Sequence, residues 1–243
     1  MIWPDLSTRS EAAELMDDRS IGGAELADAL SQLRVINYLL GGNQPTIEGV
    51  ERLWRAAGQP IALHIVDIGA GSGEVSQQLL AWADRRRVKL KITLSDIHPD
   101  TCAVAAAYHK SEPRITVQQG DVFELAAESC DIVTASLFTH HFPTAQLPEL
   151  FSAMARAARL GIVINDLHRH RLAWLLIALA TRLFSGNRMI RHDAPLSVRR
   201  GFRRTELERL RSVPELARLR CRWRPFFRYL VIIPHVSSVH SAR

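Results

Sequence analysis

An acidic residue followed by three alternate glycines, Asp67-x-Gly69-x-Gly71-x-Gly73, carries the strongest chemical signal in this sequence of 243 residues. An apolar run precedes it and helical periodicity follows, which indicates a strand, a glycine turn and a helix. Glycines permit a sharp turn and let a ligand lie against the main chain, while the helix points its free N–H groups at that ligand. The dinucleotide pattern Gly-x-Gly-x-x-Gly is excluded, because another residue stands where its third glycine belongs.

Acidic residues also stand at the ends of the next two predicted strands. Asp96 follows the run 90–95, and Asp121 follows the run 115–118. A carboxylate at the end of the second strand can accept both hydroxyls of a ribose. Asp96 could instead cap the helix that begins near Pro99, so both roles stay open.

Histidines and a further acid follow the fourth and fifth predicted strands. His140 and His141 come after strand four, and Asp166 and His168 come after strand five. Both strand ends border the ligand crevice of an open α/β sheet. Histidine titrates near the pH at which a general base works, so we expect His141 to act as base, with Asp166 orienting a histidine or the substrate hydroxyl. The alternative is that His140 and His141 only shape the pocket.

The stretch around Asp67 resembles motif I of the class I S-adenosylmethionine (AdoMet) methyltransferases. The resemblance implies that AdoMet is the cofactor, that Asp67 holds the amino end of its methionine half, and that the glycine loop cradles it. It also implies that Asp96 binds the ribose and that Asp121 accepts a hydrogen bond from the adenine amino group. The cofactor-binding residues predicted on these grounds are Asp67, Gly69, Ala70, Gly71, Gly73, Asp96, Ile97, Asp121, Val122 and Ser136.

A Rossmann-like, doubly wound α/β fold is the architecture that this resemblance implies. Parallel strands alternate with helices from about residue 63 to residue 167, and such crossovers are right-handed. Two late segments, 216–223 and 227–234, look like the antiparallel pair that closes the family's seven-stranded sheet. We therefore expect residues 61–243 to form a mostly parallel sheet of seven strands with an antiparallel last strand.

Residues 1–60 are predicted to form a helical cap that could lie across the mouth of this domain. Apolar residues recur at helical spacing over 11–17, 24–40 and 47–57. Arg34 and Asn37 lie in the otherwise apolar second helix. They are candidates to reach the cofactor or substrate, and the alternative is that they face solvent.

A lid over the substrate is predicted at about residues 186–203. Its adjacent His192 and Asp193 could hydrogen-bond a substrate, as could His168, or form a solvated pair. The segment 172–180 is apolar almost all round, which favours a helix buried against the sheet. It could instead form a wall for an alkyl or polycyclic substrate, with its basic flanks meeting a membrane surface.

Three further strings, HHFP, NDLHRHRLAWLL and RHDAPLSVRRGF, look like those of bacterial small-molecule methyltransferases of polyketide, phenolic-lipid or quinone pathways. This narrower resemblance implies secondary metabolism and O-methylation of a phenolic or polyketide-type hydroxyl. C-methylation of a quinone-type ring and N-methylation of an amine stay open. More distant alternatives are a non-catalytic AdoMet-binding scaffold and an RNA methyltransferase.

Charge and cysteine content narrow the possible partners. Residues 182–243 hold fifteen arginines against four acids, which could suit nucleic acid, an anionic membrane or an acidic substrate, or simply form a solvated surface. No RNA-binding motif accompanies this charge, so no nucleic-acid partner is expected. The three scattered cysteines and the lack of a signal-peptide pattern fit a reduced, cytoplasmic compartment and no metal site.

Overall fold

A computed structural model describes residues 4–18, 20–39 and 42–235 of the protein. Within these residues, one seven-stranded sheet has the order β3-β2-β1-β4-β5-β7-β6. The strands are β1 (Ala62–Ile68), β2 (Lys89–Asp96), β3 (Ile115–Gln119), β4 (Cys130–Ser136), β5 (Ala158–Leu167), β6 (Arg220–Arg224) and β7 (Arg228–Pro234).

Helices cover both faces of the sheet and its carboxyl edge. None of the described helices combines the length and the apolar character needed to cross a membrane. The helices are α1 (Gly23–Leu39), α2 (Gln44–Ala56), α3 (Ser76–Arg86), α4 (Pro99–His109), α5 (Leu147–Ala157), α6 (Arg171–Phe184), α7 (Arg188–Arg200) and α8 (Arg204–Arg209).

The strand directions confirm the predicted fold. Strands β1 to β5 run parallel, and β7 pairs antiparallel with both β5 and β6. The first late strand was predicted to begin at residue 216, which is wrong, because Pro214–Leu216 forms a single 3-10 turn and β6 begins at Arg220. Leu216 is fully buried below that turn, so its apolar character reflects the core rather than a strand.

Two apolar layers fill the space between the sheet and its helices. Val133 and Ile162 face the layer that includes Phe151 of α5. Ile132 and Val163 face the opposite layer, beneath α2 and α3. Central parallel strands are buried on both faces, which explains why their sequences are continuous apolar runs rather than alternating patterns.

The order of the strands reverses between β1 and β4, and this is where an open α/β sheet leaves a crevice at its carboxyl edge. Helices α1, α6 and α7 lie over that edge. Leu26 and Leu30 of α1 pack against Met189 and Ile190 of α7, which forms a third, smaller apolar cluster. The segment predicted as a lid is therefore mostly the helix α7.

The N-terminal segment differs from the predicted helix over 11–17. Only Leu15–Asp17 form a helical turn, of the 3-10 type. The backbone N–H groups of Leu15 and Met16 donate to the carboxylate of Asp193 at 2.8 and 3.0 Å. Hydrogen bonds to α7 thus replace those that a helix would make. The second predicted helix is α1, and its predicted end at residues 40–41 lies outside the described residues.

Candidate active site

A cavity of about 650 Å³ opens at the carboxyl edge of the sheet, above the ends of β1, β2 and β4. Pockets for small molecules are usually about 300–1,000 Å³, so it could hold a cofactor and part of a substrate. The strands supply its polar floor, whereas α1, α6 and α7 supply an apolar wall. The wall includes Leu26, Leu30, Leu33, Leu176, Ile177, Ala180, Ile190 and Ala194.

The glycine turn after β1 forms one side of the cavity. Gly69, Gly71 and Gly73 have φ values of +58°, +56° and +69°, the left-handed region that glycine adopts most easily. Gly69 and Gly71 line the cavity with Ala70. Gly73 does not line it. A Cβ at that position would lie 2.4 Å from Leu94 Cδ1, so Gly73 lets α3 pack closely on β2.

Asp67, at the end of β1, is buried in the floor of the cavity. Its Oδ1 accepts a hydrogen bond of 2.6 Å from Thr134 Oγ1 on the neighbouring strand. Burial raises the pKa of Asp67 to about 7. No cation lies against this carboxylate in the described part of the chain, so it would attract a positively charged ligand group.

The predicted acids after β2 and β3 lie on the same side of the cavity. Asp96 accepts hydrogen bonds from the backbone N–H groups of His98 at 3.0 Å and Gly71 at 3.3 Å, which ties it to the glycine turn. Burial raises its pKa. Asp121 Oδ1 accepts from the N–H of Phe123 at 3.0 Å. Ile97 and Val122, next to these acids in the sequence, also line the cavity, as does Ser136 at the end of β4.

His140 forms a buried pair with Asp166. The distance from His140 Nδ1 to Asp166 Oδ1 is 2.7 Å, and both side chains are only 2% exposed. Burial opposes charge on His140, but Asp166 and Glu14 outweigh it and raise the pKa of His140 to about 9. The same pairing lowers the pKa of Asp166 in spite of its burial. Asp166 therefore orients His140 rather than His141.

His141 faces the cavity and is oriented by the N-terminal segment. Its Nδ1 lies 2.6 Å from Asp17 Oδ1. A carboxylate only accepts, so Nδ1 is the donor in this bond and Nε2 is left for a second partner. That Nε2 lies 3.9 Å from Glu14 Oε2. Hydrogen bonding and charge from His141 lower the pKa of Asp17 although burial opposes this.

Glu14 completes the histidine cluster. Its Oε1 lies 3.6 Å from His140 Nε2, and both atoms are buried without a hydrogen-bond partner among the described residues. Burial would raise the pKa of Glu14, but His140 and His141 lower it overall. One carboxylate and two imidazoles thus lie within 4.8 Å of one another, a set that could ligate a metal ion. His140 carries a proton on Nε2 at neutral pH, which a metal would have to displace.

Arginines and Asp193 hold the N-terminal segment against the turn after β4. Arg200 Nη1 donates to Ala12 O at 2.5 Å and lies 3.3 Å from Asp17 Oδ2, and its Nε donates to His140 O at 3.2 Å. Arg9 Nη2 donates to His140 O at 2.9 Å. Asp193, predicted to bind substrate, lines the cavity, but its carboxylate is occupied by the N–H groups of the turn Leu15–Asp17.

The other predicted substrate residues are spread over the structure. Asn37 is buried and lines the cavity. Arg34 stacks on the ring of Tyr108, with 4.2 Å between its Cζ and the ring centroid. His168 packs beside Tyr229 and Phe227 outside the cavity lining. The side chain of His192 is half-exposed, and its Nδ1 lies 2.7 Å from Asp193 Oδ1. Only Asn37 and Asp193 of these five therefore line the cavity.

Four residues of the cavity lining with a carboxylate or guanidinium side chain were missed by sequence reasoning: Glu14, Asp17, Glu74 and Arg228. Glu74 directly follows the third glycine of the motif, so its position was a usable signal. The sequence around Glu14, Asp17 and Arg228 gives no such signal, because each of these residues contacts partners that lie far away in the chain.

Comparison with known proteins supports the fold described above. Residues 65–161 match the family described as "Methyltransferase domain", which is less than half of the chain. No curated protein matches the sequence. Together, the family match and the fold support an enzyme, a class I methyltransferase.

Solved structures resemble the whole fold. Magnesium protoporphyrin IX methyltransferase from Synechocystis PCC 6803 has 18% identity and a TM-score of 0.54, over 81% of this chain and 84% of its own. A SAM-dependent methyltransferase from Aquifex aeolicus has 13% identity and a TM-score of 0.58, over 86% and 98%. Human N-acetylserotonin methyltransferase has 15% identity and a TM-score of 0.61, over 94% and 64%. Such identities establish the fold alone.

The proton on His140 makes stability depend on pH. Its pKa is about 9 in the folded protein against an ordinary 6.5. The proton's contribution is therefore complete below pH 6.5 and is lost as the pH rises through about 9. Urea unfolding from about pH 6 to about pH 10 should show the stability difference between wild type and His140→Gln shrinking as the pH rises.

His64→Gln is the matched control for the alkaline part of that measurement. Burial lowers the pKa of His64, so this histidine is uncharged in both the folded and the unfolded protein from about pH 8 upward, and its difference from wild type should stay constant there. A His140→Gln difference that is equally constant would contradict the charged state assigned to His140.

Proposed function

We propose that this enzyme transfers a methyl group from AdoMet to a small molecule, most favourably to a hydroxyl of a phenolic or polyketide-type substrate. One observation carries the proposal: the cavity has the cofactor residues of motif I on one side and an oriented histidine, His141, on the other. C-methylation of a quinone-type ring and N-methylation of an amine use the same cofactor and are outcomes of the test.

The first side of the cavity fits the cofactor. The first turn of α3 has no side-chain cap, and the N–H of Ser76 within it donates to Gly73 O at 3.1 Å. Asp67 is a buried carboxylate suited to the methionine ammonium, Asp96 to the ribose hydroxyls, and Asp121 to the adenine amino group. When bound, AdoMet supplies a methyl group on a positively charged sulfur.

The second side fits a substrate that loses a proton. His141 lines the cavity, and Asp17 holds the ring through Nδ1, so a neutral His141 would have its lone pair on Nε2. The imidazolium that forms is stabilised by Asp17 and by Glu14, 3.9 Å away. Proton removal of this kind favours an O–H substrate, because a tertiary or secondary amine presents a lone pair without it. The apolar wall then aligns the substrate, and alignment can supply about 7–11 kcal/mol.

Replacement of His141 by glutamine tests the proton-acceptor role. Transfer of labelled methyl from AdoMet to a panel of phenols, quinones and amines should show which acceptor the wild type uses. With that acceptor, His141→Gln should lower kcat by about 10²- to 10⁴-fold, because the proton acceptor is lost. Its affinity for S-adenosylhomocysteine (AdoHcy) should stay close to that of the wild type.

His64→Gln again serves as control, since His64 lies at the opposite end of β1 from the cavity, and it should keep wild-type kcat. Wild-type kcat in His141→Gln would refute the role. Binding of AdoHcy without transfer to any acceptor would favour the scaffold alternative, whereas transfer to RNA would favour the RNA methyltransferase.

An exposed apolar face on α6 supports a hydrophobic substrate and contact with a membrane surface. Leu172, Leu176, Leu179 and Leu183 recur along this face, and all four are exposed. Leu176 also lines the cavity, so the face is continuous with the substrate wall. Arg171 and Arg182, near the two ends of α6, are exposed, which suits anionic lipid. The three cysteines are unpaired, in keeping with the cytoplasmic location that we also propose.

Sedimentation with lipid vesicles tests the membrane contact. The protein should bind phosphatidylglycerol vesicles more strongly than phosphatidylcholine vesicles, and Leu183→Asp should weaken binding, because Leu183 is 74% exposed on this face. Ile61→Asp is the matched control, since Ile61 is 76% exposed before β1, far from α6. Equal loss in both variants, or no vesicle binding by the wild type, would refute the contact.

A further inference from the structure

Arg228 is a buried cation at the carboxyl edge of the sheet. It is the first residue of β7 and pairs with Leu167, the last residue of β5. It is 5% exposed and lines the cavity. Room for its side chain exists because position 42 is a glycine, where a Cβ would lie 2.7 Å from Arg228 Nη2.

No carboxylate pairs with this guanidinium in the part of the chain that the structure describes. Its Nη2 donates to Asn37 Oδ1 at 2.7 Å, and its Nε is buried without a hydrogen-bond partner. Arginine stays protonated in proteins, so the charge must be borne in a site of low dielectric. Burying an unpaired charge is unfavourable, so an anionic ligand is the expected partner.

Two buried carboxylates, Asp166 and Glu74, stand close enough to this cation to act on it electrostatically, and Asp166 is already paired with His140. Asn37 Nδ2 donates to Glu74 Oε1 at 3.1 Å, so one amide connects Arg228 with Glu74. Glu74 in turn lies near enough to Asp67 to raise the pKa of Asp67 further, after the larger effect of burial. This end of the cavity thus offers a cation for an anionic group and carboxylates for a cationic one.

A zwitterion satisfies both needs at once. We propose that Arg228, positioned by Asn37, binds the α-carboxylate of the cofactor's methionine half, while Asp67 faces its ammonium group. The inference rests on the proposed function, because it takes AdoMet as the ligand. It assigns Arg228 as a cofactor-binding residue that lies more than 150 residues beyond the glycine motif.

This contact can be tested by a thermodynamic cycle of four binding affinities. One change removes the carboxylate from the ligand, and the other removes the charge of Arg228 from the protein. The ligands are AdoHcy and its decarboxylated analogue S-adenosyl-3-thiopropylamine, titrated by calorimetry into wild type and Arg228→Met. A hydrogen bond to a charged group is worth about 1.5–3 kcal/mol, so wild type should bind AdoHcy about 10- to 100-fold more tightly than the analogue. In Arg228→Met the two affinities should become nearly equal.

Arg222→Met is the matched control, because Arg222 is an exposed arginine on the neighbouring β6. Its ratio of AdoHcy affinity to analogue affinity should equal that of the wild type. Should Arg228→Met fail to fold, Arg228→Lys keeps the charge without the planar fork and should lower the ratio partly. A wild-type ratio in either Arg228 variant, or equal affinities in the wild type, would overturn the inference with AdoHcy binding intact. Failure of the wild type to bind either ligand would instead overturn the proposed function.

Discussion

The ion pair between Asp166 and His140 is the contact on which the rest of the site depends. Besides the imidazole, Asp166 accepts hydrogen bonds from Thr139 Oγ1 at 2.7 Å and from the N–H of His140 at 3.1 Å. These bonds fix the turn after β4 to the end of β5. Breaking a buried pair leaves a lone charge and costs about 3–5 kcal/mol, so the turn has one position relative to the sheet. His141 is the next residue in this turn, so the same hydrogen bonds also fix where its backbone lies.

Charges of alternating sign extend from this pair to the N-terminal segment. Asp166 is followed by His140, then by Glu14, and Arg200 Nε lies 3.7 Å from Glu14 Oε1. The segment thereby closes the cavity and orients His141 through Asp17. The residues ahead of α1 are thus part of the proposed chemistry, and not only a cover for the domain.

The sequence was informative wherever function depends on the order of strands and turns. Parallel strands bring their carboxyl ends to one edge, so Asp67, Asp96 and Asp121 could be assigned to a common site from their positions alone. The oligomeric state and the identity of the substrate could not be read in this way, since neither leaves a local pattern.

Contacts between distant segments account for what the sequence could not predict. Asp166 was expected to orient a histidine, and it does, but the histidine is His140, because register and turn geometry select between neighbours. Periodicity predicted a helix over 11–17, but tertiary hydrogen bonds to Asp193 outweigh the local helix propensity of this segment. Arg228 lies in an arginine-rich third of the chain, and only burial distinguishes it from its solvated neighbours.

The central claim is that the cavity at the carboxyl edge binds AdoMet. Isothermal titration of AdoMet and of AdoHcy into the wild type and into Asp96→Ala tests it most directly. We expect saturable binding of both ligands at one site per chain, and a strong loss of affinity in a folded Asp96→Ala protein, because the ribose hydroxyls lose their acceptor. Absence of binding to the wild type, or unchanged affinity in Asp96→Ala, would contradict it.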